Sequence, residues 1–290
     1  MHSEFEKIIQ AVDPCAQGKQ LLISGQSDSA ALSAVLEARN RKWIEPIVCG
    51  RTFTGMAHHM KLVSPEADIT TARQEAFRLA QSQESALILD TGPLDADFFS
   101  LLSAINTDNS NKGILSYVSV LGAPKDGRLI LLTDPLIHHP SGIHEKIAVT
   151  QNVIRAAHGL GIERPKIAAL SALELVNPAI PSTLEAAVLS KMSERGQFGT
   201  AVIEGPLAMD NAESASAAQH KGIHSPVPGD VDVYLFPDLE SAQLTAGFLA
   251  RVGRSSLAGI LLGTSRPAVV RSPFEPPESW LINLAVALLI

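Results

Sequence analysis

Two cysteines, Cys15 and Cys49, are too few in 290 residues for a disulfide framework, and they form no CxxC metal knuckle. The opening stretch MHSEFEKIIQ has no signal-peptide apolar region, so the chain reads as cytoplasmic. Aromatics make up 4% and charged residues 18%, and 23 basic against 30 acidic residues leave a net charge of -7. No basic stripe interleaved with aromatics is present, which excludes the electrostatic footprint of a nucleic-acid binder. Long apolar runs are missing too. Residues 280–290 form the longest, short of the roughly 20 residues that span a bilayer, and Asn283 interrupts it, so it reads as a buried closing helix. Neither a GxSxG nucleophile elbow nor a GxGxxG dinucleotide fingerprint nor an HExxH metal motif occurs.

What is there is an apolar fraction of 46% with 20 Gly and 18 Pro scattered without a repeat, the composition of an ordinary globular protein. Short apolar runs alternate with helical patterns from end to end, the mark of βαβ units feeding a mostly parallel sheet. Strands are expected at residues 21–24, 46–49 and 86–89, with helices at 27–39, capped by Ser27 or Asp28, and 71–82. Runs at 114–121 and 128–133, joined by Ala123-Pro124-Lys125-Asp126-Gly127, read as a hairpin. Beyond 146 the pattern predicts helices at 146–160, 182–193, 212–220 and 239–252 between strands at 166–173, 200–204, 231–236 and 259–262. Strands such as AVIE, VDVYLF and GILL are apolar on both faces, as when helices cover both sides. Two α/β lobes are expected, residues 1–135 (with part of the closing helix) and 136–290, with discontinuity between them allowed.

Ligands in such folds gather outside the carboxyl ends of strands. That rule points to Glu174 and Asn177-Pro178, to the run from Gly205-Pro206 to Asp210-Asn211, to Pro237-Asp238, and to Gly263-Thr264-Ser265-Arg266-Pro267. The loop from His224-Ser225 to Asp230 precedes a strand instead. From Ile162 onward, GIERPKIAALSALELVNPAIPSTLEAA, GPLAMDNA, HKGIHSPVPGDVDVYLFPDLESA and GILLGTSRPAVV together resemble the phosphate acetyltransferase and phosphate butyryltransferase family, closer to its butyryl branch. The resemblance is strong over residues 160–290 and weak over 1–110. It implies a two-lobed, three-layer α/β/α fold of the isocitrate/isopropylmalate dehydrogenase-like kind, usually a homodimer, that exchanges a short acyl group between coenzyme A and inorganic phosphate. Coenzyme A is then a substrate, and no permanently bound cofactor is expected.

Such chemistry needs donors for a phosphate dianion and a tetrahedral oxyanion, and a group for the thiol proton. The family carries Ser-Arg before its last helix; here Ser272 matches the serine, Pro273 stands in place of the arginine, and Glu278 matches an acidic position of the butyryl branch. Thr91-Gly92 replaces Lys-Gly after the third strand, and residues 98–105 contain no arginine. Proline cannot replace a guanidinium on phosphate. The expected roles are therefore Arg271 on phosphate, Ser272 donating to the reacting carbonyl, and Glu278 accepting the thiol proton. Arg266 could reach the same space and Arg251 and Arg254 lie on the preceding helix end, with solvated surface charge the alternative for all four arginines. Asn177, Pro206, Ser225, Asp238, Gly263 and Thr264 are expected to line the substrate cleft.

His138, His139 and His144 are close enough in sequence to converge on a metal, but no carboxylate-histidine spacing accompanies them, and a polar loop without metal is the reading adopted. His58-His59 reads as surface; His220 and His224 flank the Ser-Pro loop, where His224 is near enough to the cleft to act as an acid or base but a hydrogen-bonded loop histidine is the reading favoured. The closing helix would expose Trp280, Leu281 and Leu284 unless its own lobe or a second copy covers them. The competing class is a family member without acyl transfer that binds CoA-like or anionic metabolites or serves as a subunit.

Overall fold

The computed structural model describes residues 3–15, 18–50, 60–81, 87–105, 114–122, 127–137, 142–264 and 267–290. In chain order its first elements are α1 (Ser3–Val12), β1 (Lys19–Ser24), α2 (Ser29–Asn40), β2 (Ile44–Cys49), β3 (Lys61–Val63), α3 (Ile69–Gln81), β4 (Leu87–Asp90) and α4 (Ala96–Ile105). Next come β5 (Ser116–Gly122), β6 (Leu129–Thr133), α5 (Ile143–Gly159), β7 (Lys166–Leu170), α6 (Pro181–Glu194), β8 (Val202–Leu207), α7 (Met209–Glu213) and α8 (Ala215–His220). The chain closes with β9 (Val233–Leu235), α9 (Leu239–Arg251), β10 (Leu257–Leu262), β11 (Ala268–Val269) and α10 (Trp280–Leu289).

Side-chain oxygens start α2, α8 and α9. Asp28 Oδ1 accepts from the N–H groups of Ala30 and Ala31 at 2.9 Å each and caps α2, so Asp28 rather than Ser27 is the cap. The helix expected at 212–220 is split, because Ser214 adopts an extended backbone and its hydroxyl accepts from Ala217 N–H at 3.2 Å, starting α8 anew. β5 and β6 pair antiparallel as expected, with Val118 opposite Thr133, and residues 123–126 of their link lie outside the described residues.

The chain divides into two compact units, Met1–Leu115 with Ser256–Ile290, and Ser116–Ser255. This differs from the expected break near 135. The last 35 residues return to the first unit because β11 pairs parallel with β4, Ala268 opposite Ile88, and α10 packs on α1 and α2. Strand order in the first unit is β3-β2-β1-β4-β11-β10, parallel except where β10 runs antiparallel to β11. Order in the second is β5-β6-β9-β7-β8, parallel except for β5. The fold is α/β, with β4 and β10 buried along their lengths and β1 over its last four residues, as two-faced helical cover requires.

Trp280, Ile282, Leu284 and Val286 of α10 are almost wholly buried within the first unit, each contributing about 1.5–3 kcal/mol. Of the two ways expected for covering Trp280, Leu281 and Leu284, it is the first unit itself that buries them. Asn283, buried among them, is satisfied, since its Oδ1 accepts from Gly259 N–H at 2.9 Å and its Nδ2 donates to Glu275 Oε2 at 2.8 Å. No helix among the described residues is long and apolar enough to cross a membrane.

Candidate functional site

Strand direction decides which expected residues share an edge. In the first unit β1, β4 and β11 run the same way, so Ser24, Asp90 and the loop of Arg271 and Ser272 mark one carboxyl edge. Because β10 runs the other way, its start at Leu257 lies at that edge, and Gly263 and Thr264 lie at the far end. Gly263 packs there against the backbone of Ile114 and Leu115, too close for a side chain. Gly263 and Thr264 thus leave the expected site, and Arg266 lies outside the described residues.

The carboxyl edge is built on a buried charge cluster. Asp90 accepts from Ser24 Oγ at 2.7 Å, Arg73 Nε at 3.0 Å, Arg73 Nη2 at 2.9 Å and Gly92 N–H at 2.9 Å. Arg73 also reaches Asp95 at 3.0 Å. Burial opposes the guanidinium's charge, but hydrogen bonds and proximity to Asp90 and Asp95 outweigh it and hold the Arg73 pKa above the ordinary arginine value. The Phe98 N–H holds the Asp95 carboxyl below the ordinary range, with Arg73 adding to that effect. Thr91, standing where the family has lysine, donates its hydroxyl to the carbonyls of Ser24 and Gln26. Gly25, at φ +108, lets the Thr91-Gly92 backbone approach to distances a Cβ would forbid.

Ser272, Glu275 and Asn283 form a second buried network. Ser272 Oγ donates to Glu275 Oε1 at 2.9 Å, and Ser279 Oγ donates to Glu275 Oε2 at 3.4 Å. The hydroxyl expected to serve the reacting carbonyl therefore gives its proton to Glu275 and keeps its lone pairs as acceptors. Arg271 Nη1 donates to Glu275 O at 3.0 Å, its guanidinium lies 6.0 Å from the Trp280 ring centroid, and its buried Nε has no partner. Glu278 is exposed in the single 3₁₀ turn Pro277–Ser279 that leads into α10. Trp280 Nε1 donates to Asp28 Oδ2 at 3.3 Å, tying this turn to the loop after β1. Arg271, Ser272 and Glu278 thus belong to one stretch at the carboxyl edge.

In the second unit β6, β9, β7 and β8 are parallel, and their carboxyl ends carry Thr133-Asp134, Pro237-Asp238, Ser171 and Leu207-Ala208. Asp238 caps α9, accepting from Ser241 N–H at 2.7 Å. Asn177, in the loop after β7, accepts from Ala179 N–H at 3.0 Å and is braced by the Thr183 hydroxyl. Pro206 lies inside β8, buried, so it shapes the strand end without presenting a donor. Lys146 is 5% exposed, donates to Pro237 O and pairs with Glu185 at 3.0 Å. It lines a small, mostly apolar cavity with Thr133, Asp134, Phe236 and Asp238, where the Thr133 hydroxyl is buried without a partner.

Ser225 and His224 are elsewhere. They line a cavity of about 500 Å3 with Arg164 and Val202, at the amino ends of β7 and β8. Ser225 and the acid or base role of His224 therefore drop out of the strand-end site, because their loop enters β9 instead of leaving it. Among the described residues no three His, Cys, Asp or Glu side chains cluster as metal ligands; His58, His59, His138 and His139 lie outside the described residues. Sequence reasoning missed Arg73 and Lys146, the buried cations of the two edges. The one available signal was a charged residue on an otherwise apolar helical face, beside Ala72, Ala76 and Phe77 for Arg73 and before Val149 and Val153 for Lys146.

Polar residues at the carboxyl ends of parallel strands are the ligand-binding arrangement of α/β folds in general, and this fold is shared with a solved phosphotransacylase. Residues 96–275 match the family described as phosphate acetyl/butaryl transferase, and the chain belongs to that family. It is 32% identical over 300 residues to a phosphate butyryltransferase of Clostridium acetobutylicum, covering all of this chain and 99% of that one. It is 30% identical to a phosphate acetyltransferase of Thermotoga maritima, covering 98% of each. The fold matches a branched-chain phosphotransacylase of Enterococcus faecalis at a TM-score of 0.80 and 27% identity, over 93% of this chain and 98% of that one.

Proposed function

We propose that the protein exchanges a short acyl group between coenzyme A and inorganic phosphate, acyl-CoA plus phosphate giving acyl phosphate plus CoA. The observation that carries this reading is family membership along essentially the whole chain. In the proposed site a phosphate oxygen attacks the thioester carbonyl, the tetrahedral intermediate collapses, and the thiolate leaves. Arg271 holds the phosphate, its half-buried guanidinium already steadied by Trp280 and the Glu275 carbonyl. Ser272 donates to the carbonyl oxygen after its hydroxyl turns from Glu275. Glu278, exposed at the turn before α10, accepts the thiol proton when CoA attacks an acyl phosphate. Asn177 and Asp238 shape the second unit's contribution to substrate binding.

The test is CoA-dependent release of phosphate from acetyl, propionyl and butyryl phosphates. Arg271→Ala and Glu278→Gln should each lower turnover by roughly 100-fold or more, since each removes a contact made mainly in the transition state. Full activity in both variants would refute these roles. No release from any acyl phosphate would favour a non-catalytic binder of CoA-like or anionic metabolites. That reading has an observation of its own, because Arg73 and Lys146 are already engaged by carboxylates.

A cytoplasmic homodimer acting on small molecules, without nucleic acid or membrane as partner, completes the proposal. Its support is the family resemblance together with exposed apolar side chains at Leu175, Leu184 and Val188 and along α9 at Leu244 and Phe248. Sedimentation at micromolar concentration should give twice the monomer mass; monomer alone would count against it.

A further inference from the structure

Arg73 and Asp90 are each 1% exposed, and an ion pair removed so completely from water is a poor source of stability. Two apolar side chains of like volume would pack there as well or better. What apolar side chains cannot do is hold the turn that follows β4, and the pair engages that turn at three points. Asp90 Oδ1 accepts from Gly92 N–H at 2.9 Å, while Arg73 Nη2 donates to Pro93 O at 2.5 Å and Arg73 Nη1 to Asp95 Oδ1 at 3.0 Å. Gly92 fits only because it lacks a side chain, since a Cβ would come within 2.5 Å of Arg73 Nη2. The turn is also tied to the loop after β1. Thr91 N–H donates to Ser24 O at 3.0 Å, the Thr91 hydroxyl to the Ser24 and Gln26 carbonyls, and the Ser24 hydroxyl to Asp90 Oδ2 at 2.7 Å. Unlike the pair itself, this turn is reachable: Thr91 and Gly92 are half-buried at the carboxyl edge, as is Arg271. Parallel register sets them beside each other. Leu89 of β4 lies opposite Val269 of β11, and two residues beyond that pair the strands carry Thr91 and Arg271.

We propose that Arg73 and Asp90 are positioning residues for acyl transfer, holding the Thr91-Gly92 turn as one wall of the phosphate site beside Arg271. The proposal rests on the acyl-transfer reading above, and it explains why a charged pair occupies a place where apolar packing would serve stability. Neither residue touches substrate. Their effect passes through the backbone of the turn, where a misplacement of about 1 Å can cost on the order of 100-fold in rate.

The experiment measures kcat, KM for phosphate and KM for butyryl-CoA in acyl phosphate formation, alongside urea unfolding, for the parent and for Arg73→Met with Asp90→Leu. The double variant should regain much of the stability that Arg73→Met alone loses. Its KM for phosphate should nonetheless rise roughly tenfold or more, with the KM for butyryl-CoA near the parent value. Arg73→Lys, which keeps the charge but lacks the fork that reaches Asp90, Pro93 and Asp95 together, should show the same split. A pair that served stability alone would let phosphate binding return with stability. A KM for phosphate at the parent value in the double variant, or in Arg73→Lys should the double variant not fold, overturns the proposal. An equal rise in both KM values also overturns it, because the site as a whole would then have loosened. Calorimetry with inorganic phosphate separates this from failure of the acyl-transfer reading. If the chain transfers no acyl group, phosphate binding that weakens roughly tenfold or more in the double variant still supports the role of the pair. Equal binding by parent and variant, or none by the parent, overturns it.

Discussion

The two strand edges solve the same problem differently. Each places a buried cation below the carboxyl ends of parallel strands, Arg73 in the first unit and Lys146 in the second. Arg73 meets Asp90 with two guanidinium nitrogens, at 3.0 and 2.9 Å, and both side chains are essentially inaccessible. Lys146 meets one carboxylate, Glu185, whose side chain keeps 24% of its exposure, and one carbonyl. The planar fork can satisfy a buried carboxylate on both oxygens, whereas the ammonium behaves as a point charge that tolerates a wetter partner. A buried cation near a strand end is thus not a spare phosphate holder. In the first unit the groups proposed for chemistry, Arg271 and Glu278, take no part in this pair.

The comparison breaks most sharply at Arg73. Arg73→Met strands the Asp90 carboxylate in the core and should cost roughly 3–5 kcal/mol in denaturant unfolding. Arg73→Met with Asp90→Leu should recover much of that loss, and failure to recover would show that the arginine matters beyond this pair. Lys146→Met should cost less, about 1–3 kcal/mol, because Glu185 can turn to water; equal losses at the two sites would dissolve the distinction.

A pH titration sharpens the contrast, because both cysteines lie in the first unit. Burial pushes the Cys49 thiol up to about 12. Below the unfolded thiol's pKa of about 8.5 both states hold the proton and no slope arises. From about 8.5 to 10 the unfolded chain loses its proton first, so stability should fall by up to about 1.4 kcal/mol per pH unit. Chemical denaturation across that range should show the slope in the parent and lose it in Cys49→Ala. The smallest effects belong to the helix caps: Asp28→Ala and Asp238→Ala should each cost about 1 kcal/mol. The former should be slightly larger if the Trp280–Asp28 bond contributes, which thermal unfolding of the two variants checks.

Much of the fold was legible in residue order because its causes are local. Apolar runs mark β1, β7 and β10, an aspartate before a helical pattern caps α2 and α9, and a turn-rich link joins β5 to β6. For the proposed site, residue order foretold neighbours better than edges. Arg271, Ser272 and Glu278 are close in sequence and stay together, while Gly263 and Ser225 were misplaced because strand direction is invisible in an apolar run. Gly263 follows the strand that runs antiparallel to its neighbour, and Ser225 precedes a strand whose other end faces the site.

The sequence by itself determined the α/β class, the caps and the family, since periodicity, capping side chains and motif spacing act over a few residues. Only the tertiary structure decided that the last 35 residues rejoin the first unit, that Arg73 neutralises Asp90, and that Ser272 gives its proton to Glu275. Those outcomes depend on which strands pair and which buried polar groups find each other. In an interior where an unpaired charge or donor is costly, every such group must be answered by whatever the fold brings within reach.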